Sequence, residues 1–229
     1  MHPAVKICGL VRPDDAAAAV AAGARYAGAI LAGGPRLVSP EGARAVFSMA
    51  GTATRVVVVG HEPVDDIVRG AMAAGADIVQ LHGDPSPRMV QDLRERWPGG
   101  IWAVMRVAAG ALDRERATAL FSVADGIVLD AFVPGALGGT GVTIDWRALQ
   151  APLQAIRESA ETSALLVLAG GLTPDNVRTG IALLSPDVVD VSSGVESAPG
   201  IKDHARVQRF IAAVRGDGVD EQLSLAGVQ

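Results

Sequence analysis

The hydrophobic positions of the chain fall into short, dense clusters. Residues 4–8, 26–31, 54–60, 77–82, 101–107, 126–131, 164–169 and 187–192 are rich in Val, Ile, Leu and Ala. Most show no apolar/polar alternation over their full length, as expected of parallel strands covered on both faces. Their starts recur every 22 to 28 residues, except for a 38-residue gap between the sixth and seventh. That period holds one strand and one helix.

Helix signals fill the gaps. Ser39-Pro40-Glu41 and Thr173-Pro174-Asp175 each set a capping residue before a proline at the first helical position, followed by an acid in the first turn. Residues 14–22 are almost pure alanine, and Gly23 is placed to end that helix. Further helices are predicted over 64–74, 87–97, 113–122, 146–158 and 202–214. Eight such units without an antiparallel signal leave a barrel or a doubly wound open sheet. The 229-residue length is close to the roughly 250 of an eight-fold barrel. Length, regular spacing and the lack of an early GxGxxG together predict a single (β/α)8 TIM barrel over residues 1–216, with a weakly patterned, frayed tail over 217–229.

Within the strands the polar positions follow a rule, because successive side chains point to opposite faces. Val5 and Ile7 oppose Lys6 and Cys8; Val79 and Leu81 oppose Gln80 and His82; Met105 and Val107 oppose Val104 and Arg106. Ile127 and Leu129 oppose Val128 and Asp130, and Val189 and Val191 oppose Asp190 and Ser192. One face of each strand is wholly apolar and is predicted to meet the helices. The other turns polar toward the C-terminal end of the strand, where barrels carry their active sites.

Composition narrows the function classes. A hydrophobic content of 49% supports a sizeable core, and no uncharged apolar run approaches the roughly 18 residues of a membrane span. The first strand pattern begins at Ala4, which leaves no room for a signal peptide. The expectation is a cytoplasmic protein with no membrane partner. A net charge of -5 argues against a nucleic-acid partner, so a bound anion has to be held by backbone amides and a few local cations. Cys8 is the single cysteine, which excludes an internal disulfide. His2, His61, His82 and His204 show no metal-ligand spacing, and no metal is expected.

Three glycine-rich segments follow late strands: Gly138-Gly139-Thr140-Gly141, Ala169-Gly170-Gly171-Leu172 and Ser192-Ser193-Gly194-Val195. Any one alone reads as a tight turn. Two adjacent ones after the seventh and eighth strands favour a phosphate site, where glycine lets backbone N–H groups approach the anion. A lone cysteine is more often a small buried hydrophobe, but Cys8 ends its strand facing inward, with Lys6 on the same face to stabilise a thiolate. Asp130 faces the interior, which is costly unless it is paired or functional. Together they offer a base and an acid from different strands, as proton transfer requires. His82 and Arg106 either orient a substrate or satisfy the buried polar layer. Arg36, after the second strand, is either an ordinary solvated side chain or a grip for a carboxylate through two parallel hydrogen bonds.

These motifs also carry a resemblance. Lys6-Ile7-Cys8-Gly9-Leu10, Pro35-Arg36 with Ser39-Pro40-Glu41, and Val79-Gln80-Leu81-His82-Gly83 resemble the phosphoribosylanthranilate isomerases of tryptophan biosynthesis. So do Leu129-Asp130-Ala131, Gly138-Gly139-Thr140-Gly141 with Asp145-Trp146, Leu168-Ala169-Gly170-Gly171-Leu172, and Asp190-Val191-Ser192-Ser193-Gly194-Val195-Glu196. The likeness runs in order from about Val5 to Arg215. It implies a cofactor-free Amadori rearrangement of N-(5-phosphoribosyl)anthranilate, a small phosphorylated sugar–anthranilate substrate, by a monomer or a homodimer. It further implies Cys8 as general base, Asp130 as general acid, Arg36 on the anthranilate carboxylate, and Gly171 with Ser193 and Gly194 on the phosphate.

The segment Leu31-Ala32-Gly33-Gly34-Pro35-Arg36 is shorter and more glycine-rich than the common family form and lacks its lysine, and Gly60-His61-Glu62 replaces an asparagine-containing turn. A histidine-pathway or dual-substrate sugar isomerase on the same barrel would instead end its first strand in aspartate and carry a second, matching phosphate site in the N-terminal half. A catalytically silent barrel would not need both Cys8 and Asp130.

Overall fold

The computed structural model describes residues 2–107, 112–131, 145–159 and 163–217. Eight parallel strands, β1 Ala4–Ile7, β2 Tyr26–Ile30, β3 Thr54–Val59, β4 Ile78–Leu81, β5 Gly100–Val107, β6 Gly126–Ala131, β7 Leu165–Leu168 and β8 Val188–Val191, pair in chain order. β8 returns to pair with β1 and closes the barrel. Every predicted strand is present, with ends moved by at most one residue. Between them run α1 Pro13–Ala22, α2 Pro40–Phe47, α3 Val64–Ala74, α4 Pro87–Arg94, α5 Arg114–Val123, α6 Trp146–Ser159 and α7 Val177–Leu184, with α8 His204–Arg215 last.

The local signals act as read. Ser39 accepts the Gly42 N–H at 3.1 Å ahead of α2, and Pro40 sits in its first turn. Gly23 ends α1 at φ 110°, its N–H bonding the carbonyls of Ala19 and Val20. The parity rule holds as well. Val5, Ile7, Leu81, Met105, Leu129 and Val189 merge with the apolar faces of the helices into one buried cluster. A separate cluster of Trp102, Val104, Val128, Val167 and Val188 fills the barrel interior. There the Tyr26 and Trp102 rings stand 5.1 Å apart. Gly126 makes room for the indole, since a Cβ at that position would lie 2.7 Å from the Trp102 ring.

Several boundaries are corrected. α7 begins at Val177 rather than at Pro174, because the Thr173 carbonyl collects the N–H groups of Asn176 and Val177 in a preceding turn. Asn176 turns its side chain back onto the loop, accepting from Thr173 N at 2.8 Å and donating to the Gly171 carbonyl at 2.9 Å. α4 ends at Arg94, short of Trp97. Lys202 does not open α8; it lies in an antiparallel hairpin of β9 Glu196–Ala198 and β10 Ile201–Lys202, turned at Gly200 with φ 80°. The helix starts after Asp203, which accepts the Arg206 N–H at 3.0 Å. Strands this short carry no readable alternation, so the sequence gives no antiparallel signal here. Gly138-Gly139-Thr140-Gly141 and the tail after Asp217 lie outside the described residues. Among the described residues no helix is long and apolar enough to cross a membrane.

Candidate active site

The C-terminal ends of the strands open into a cavity of about 330 Å³. Its lining draws on Cys8 after β1, Ala32 to Arg36 after β2, His82 after β4, Asp130 on β6, Gly170 to Leu172 after β7, and Ser192 to Gly194 after β8. Cys8, Asp130, Arg36, His82, Gly171, Ser193 and Gly194, far apart in sequence, therefore share one space.

The floor is a buried polar layer. The β1–β8 register sets Lys6 opposite Asp190, and the Lys6 ammonium reaches Asp190 Oδ2 at 2.6 Å and Gln80 Oε1 at 2.8 Å. Burial works against the Lys6 charge, but Asp190 and Cys8 outweigh it, and its pKa is raised above 10.5. On β2, Gly28 leaves the space that the neighbouring side chains need. A Cβ there would lie 3.0 Å from Cys8 Sγ and 3.1 Å from Lys6 Cε. Burial raises the Cys8 thiol above 9.0; Lys6 and Lys202 pull it down, and Asp190 pushes it up again. The pull that Lys6 exerts toward a thiolate is thus present but smaller than the effect of burial.

Asp130 accepts the Ala131 N–H at 2.9 Å through one oxygen, while the other lies 3.8 Å from His82 Nε2, beyond hydrogen-bond range. Burial raises its pKa above 3.8, against opposing pulls from His82, the Ala131 N–H and Arg106, and Asp190 adds to the rise. Arg106 sits opposite Asp130 in register but does not line the cavity. Its guanidinium reaches the His82 carbonyl at 3.4 Å and stands 3.8 Å from Asp84, which also accepts its backbone N–H. Arg106 thereby orders the turn after β4, where Asp84 adopts φ 51°.

Arg36 is fixed more tightly than a solvated loop residue. Its Nε and Nη2 donate to the two oxygens of Glu196 at 2.8 and 2.6 Å. Glu196 is 7% exposed and also accepts from Lys202 Nζ at 2.7 Å, and that ammonium donates in turn to the Ser192 carbonyl at 3.1 Å. Burial works against the Glu196 carboxylate, but its bonds to Arg36 and Lys202 win and lower its pKa. Sequence reasoning missed this pair. The capping signal of Asp203 was the clue, since it frees Lys202 from the helix.

The glycine-rich loops after β7 and β8 meet backbone to backbone: a Cβ on Gly194 would fall 1.9 Å from the Leu172 carbonyl oxygen. Gly170 and Gly171 take φ 81° and 64°, a region open chiefly to glycine. Ser192 also lines this side of the cavity, and its hydroxyl is buried with no hydrogen-bond partner among the described residues.

This frame has close relatives. An N-(5'-phosphoribosyl)anthranilate isomerase of Rubrobacter xylanophilus is 38% identical over 214 residues, spanning 92% of this chain and 98% of that protein. The crystal structure of phosphoribosyl anthranilate isomerase from Thermotoga maritima matches with a TM-score of 0.81 at 33% identity, covering 93% of this chain and 99% of that one. A phosphoribosyl anthranilate isomerase in complex with reduced 1-(o-carboxyphenylamino)-1-deoxyribulose 5-phosphate matches with a TM-score of 0.77 at 32% identity, over 93% and 99% of the two chains. With residues 5–213 also matching the family model for N-(5'phosphoribosyl)anthranilate (PRA) isomerase, the chain belongs to the PRA isomerase family.

Proposed function

We propose that the chain converts N-(5'-phosphoribosyl)anthranilate into 1-(o-carboxyphenylamino)-1-deoxyribulose 5-phosphate, with Asp130 as general acid and Cys8 as general base. The observation that carries this reading is the meeting of Cys8, Asp130, Arg36 and the glycine loops after β7 and β8 in one cavity, in a chain of this family.

The Asp130 carboxyl donates its proton to the ribose ring oxygen. The C1–O bond breaks toward that oxygen while the anilino nitrogen lone pair forms C1=N. The Cys8 thiolate then removes the C2 proton, and the C–H pair becomes C1=C2 as the C1=N electrons return to nitrogen. The resulting enolamine takes a proton at C1 and loses one from the C2 hydroxyl, giving the ketone. Arg36 receives the anthranilate carboxylate, Gly171, Ser193 and Gly194 receive the phosphate, and the reaction needs neither metal nor cofactor. Cys8 and Asp130 are only 7% and 8% exposed, so the acid and the base act with little competing solvent.

The test supplies purified protein with the substrate generated in situ and follows the loss of its fluorescence. Rapid loss supports the assignment. No loss, with reduced 1-(o-carboxyphenylamino)-1-deoxyribulose 5-phosphate still bound, overturns the activity and leaves a phosphate-binding barrel.

A further inference from the structure

Arg36 meets Glu196 side-on. Its Nε and one N–H of Nη2 are taken at 2.8 and 2.6 Å. A guanidinium has five N–H donors in a rigid plane, so three remain free of Glu196. Two of them, on Nη1 and Nη2, form a second parallel pair at the far end of the plane. Arg36 also lines the cavity, and a guanidinium held side-on by one carboxylate still has the donors to take a second one end-on. Glu196 itself is held from behind by Lys202 at 2.7 Å, and Lys202 is anchored on the Ser192 carbonyl at 3.1 Å. The Arg36 and Lys202 side chains are 12% and 0% exposed, so neither member of this chain of contacts swings freely in solvent.

From this we infer that Glu196, braced by Lys202, is a positioning residue that holds Arg36 so that its end edge meets the substrate carboxylate. The inference rests on the proposed function for the identity of that carboxylate. A planar cation clamped in place binds with less ordering cost than a free one. The carboxylate undergoes no bond change in the reaction, and its charge is the same in ground state and transition state. Loss of the clamp therefore weakens ground state and transition state alike, raising KM and sparing kcat.

Glu196→Gln leaves Lys202 buried without its counter-charge, so a second variant, Glu196→Gln with Lys202→Met, removes both charges together and guards against simple unfolding. Both are measured in the full chain by steady-state kinetics. Calorimetry then compares binding of reduced 1-(o-carboxyphenylamino)-1-deoxyribulose 5-phosphate with its phenylamino analogue lacking the carboxyl. KM is expected to rise about 10- to 100-fold with kcat nearly unchanged. The advantage of the carboxylated ligand over the plain one, clear in wild type, shrinks by a similar factor. Equal weakening of both ligands makes Glu196 merely structural and overturns the inference. An unchanged carboxylate advantage, or a larger one because Glu196 had competed for Arg36, overturns it too. Absence of turnover and of ligand binding in wild type sinks the proposed function, and the inference with it, which is a different result from either.

Discussion

The proposed mechanism asks Cys8 and Asp130 to hold particular protonation states together: thiolate with carboxylic acid. That form carries the same number of protons as thiol with carboxylate. Bulk pH therefore does not choose between the two forms; the surrounding charges do. Burial raises both groups, which favours the acid form of Asp130 and disfavours the thiolate, and Lys6 and Lys202 work against the second effect. Replacing Lys6 by Met is expected to raise the Cys8 pKa further and slow its alkylation by iodoacetamide at fixed pH. Because Cys8 is the single cysteine, the reaction reports on it alone. The same change leaves Asp190 buried without its counter-charge and should cost about 3–5 kcal/mol in urea unfolding. Alkylation as fast as in wild type would remove Lys6 from the account. The sign of the pH dependence follows from the pair. Below the raised Asp130 pKa both groups hold protons and the base is lost; above the raised Cys8 pKa both are bare and the acid is lost. The kcat profile is expected to be a plateau whose acidic limb lies above 3.8, the ordinary value for aspartate. In Asp130→Asn the residual activity should instead climb with pH through the Cys8 pKa. An acidic limb left in place by that substitution would assign it to another group.

Strands and loops set these distances through small residues. Gly28 on β2 admits Cys8 and Lys6 into the same space, and Gly28→Ala is expected to destabilise the fold by about 1–3 kcal/mol through overpacking. Gly194 carries the contact between the β7 and β8 loops, with no room for a Cβ against the Leu172 carbonyl. Gly194→Ala should lower kcat/KM about 100-fold, mostly through KM, and lower the melting temperature as well, because the two loop backbones must part to admit the methyl group. Unaltered kinetics would show that this loop contact does not shape the proposed phosphate grip. The sequence pattern reveals the glycines but not what each one faces, since packing partners come from other strands. The start of α7 departs from the sequence pattern for a related reason. Thr173-Pro174-Asp175 has the composition of a helix start, yet Asn176 bonds back to Thr173 and Gly171 and holds those residues in the loop.

As a whole, the barrel was legible because its strand starts recur at a regular spacing and the polar positions near the strand ends follow one parity rule. Lys6, Gln80, Asp130 and Asp190 stand out as polar positions on inner faces, and the closed sheet brings them together. Cys8, His82 and Asp130 were legible for the same reason, as ends of strands. Arg36 was legible only as a candidate, because its partner Glu196 lies 160 residues away and Lys202 belongs to a hairpin too short to show a pattern. The central claim is that Cys8 and Asp130 perform the two proton transfers of one isomerisation. It is tested most directly by following consumption of N-(5'-phosphoribosyl)anthranilate by wild type, Cys8→Ser and Asp130→Asn at equal concentrations of folded protein. The account predicts rapid turnover by wild type and a fall in kcat of about 100-fold or more in each variant, with binding of the reduced product analogue retained. Turnover that survives both substitutions would leave the substrate in place and contradict the mechanism.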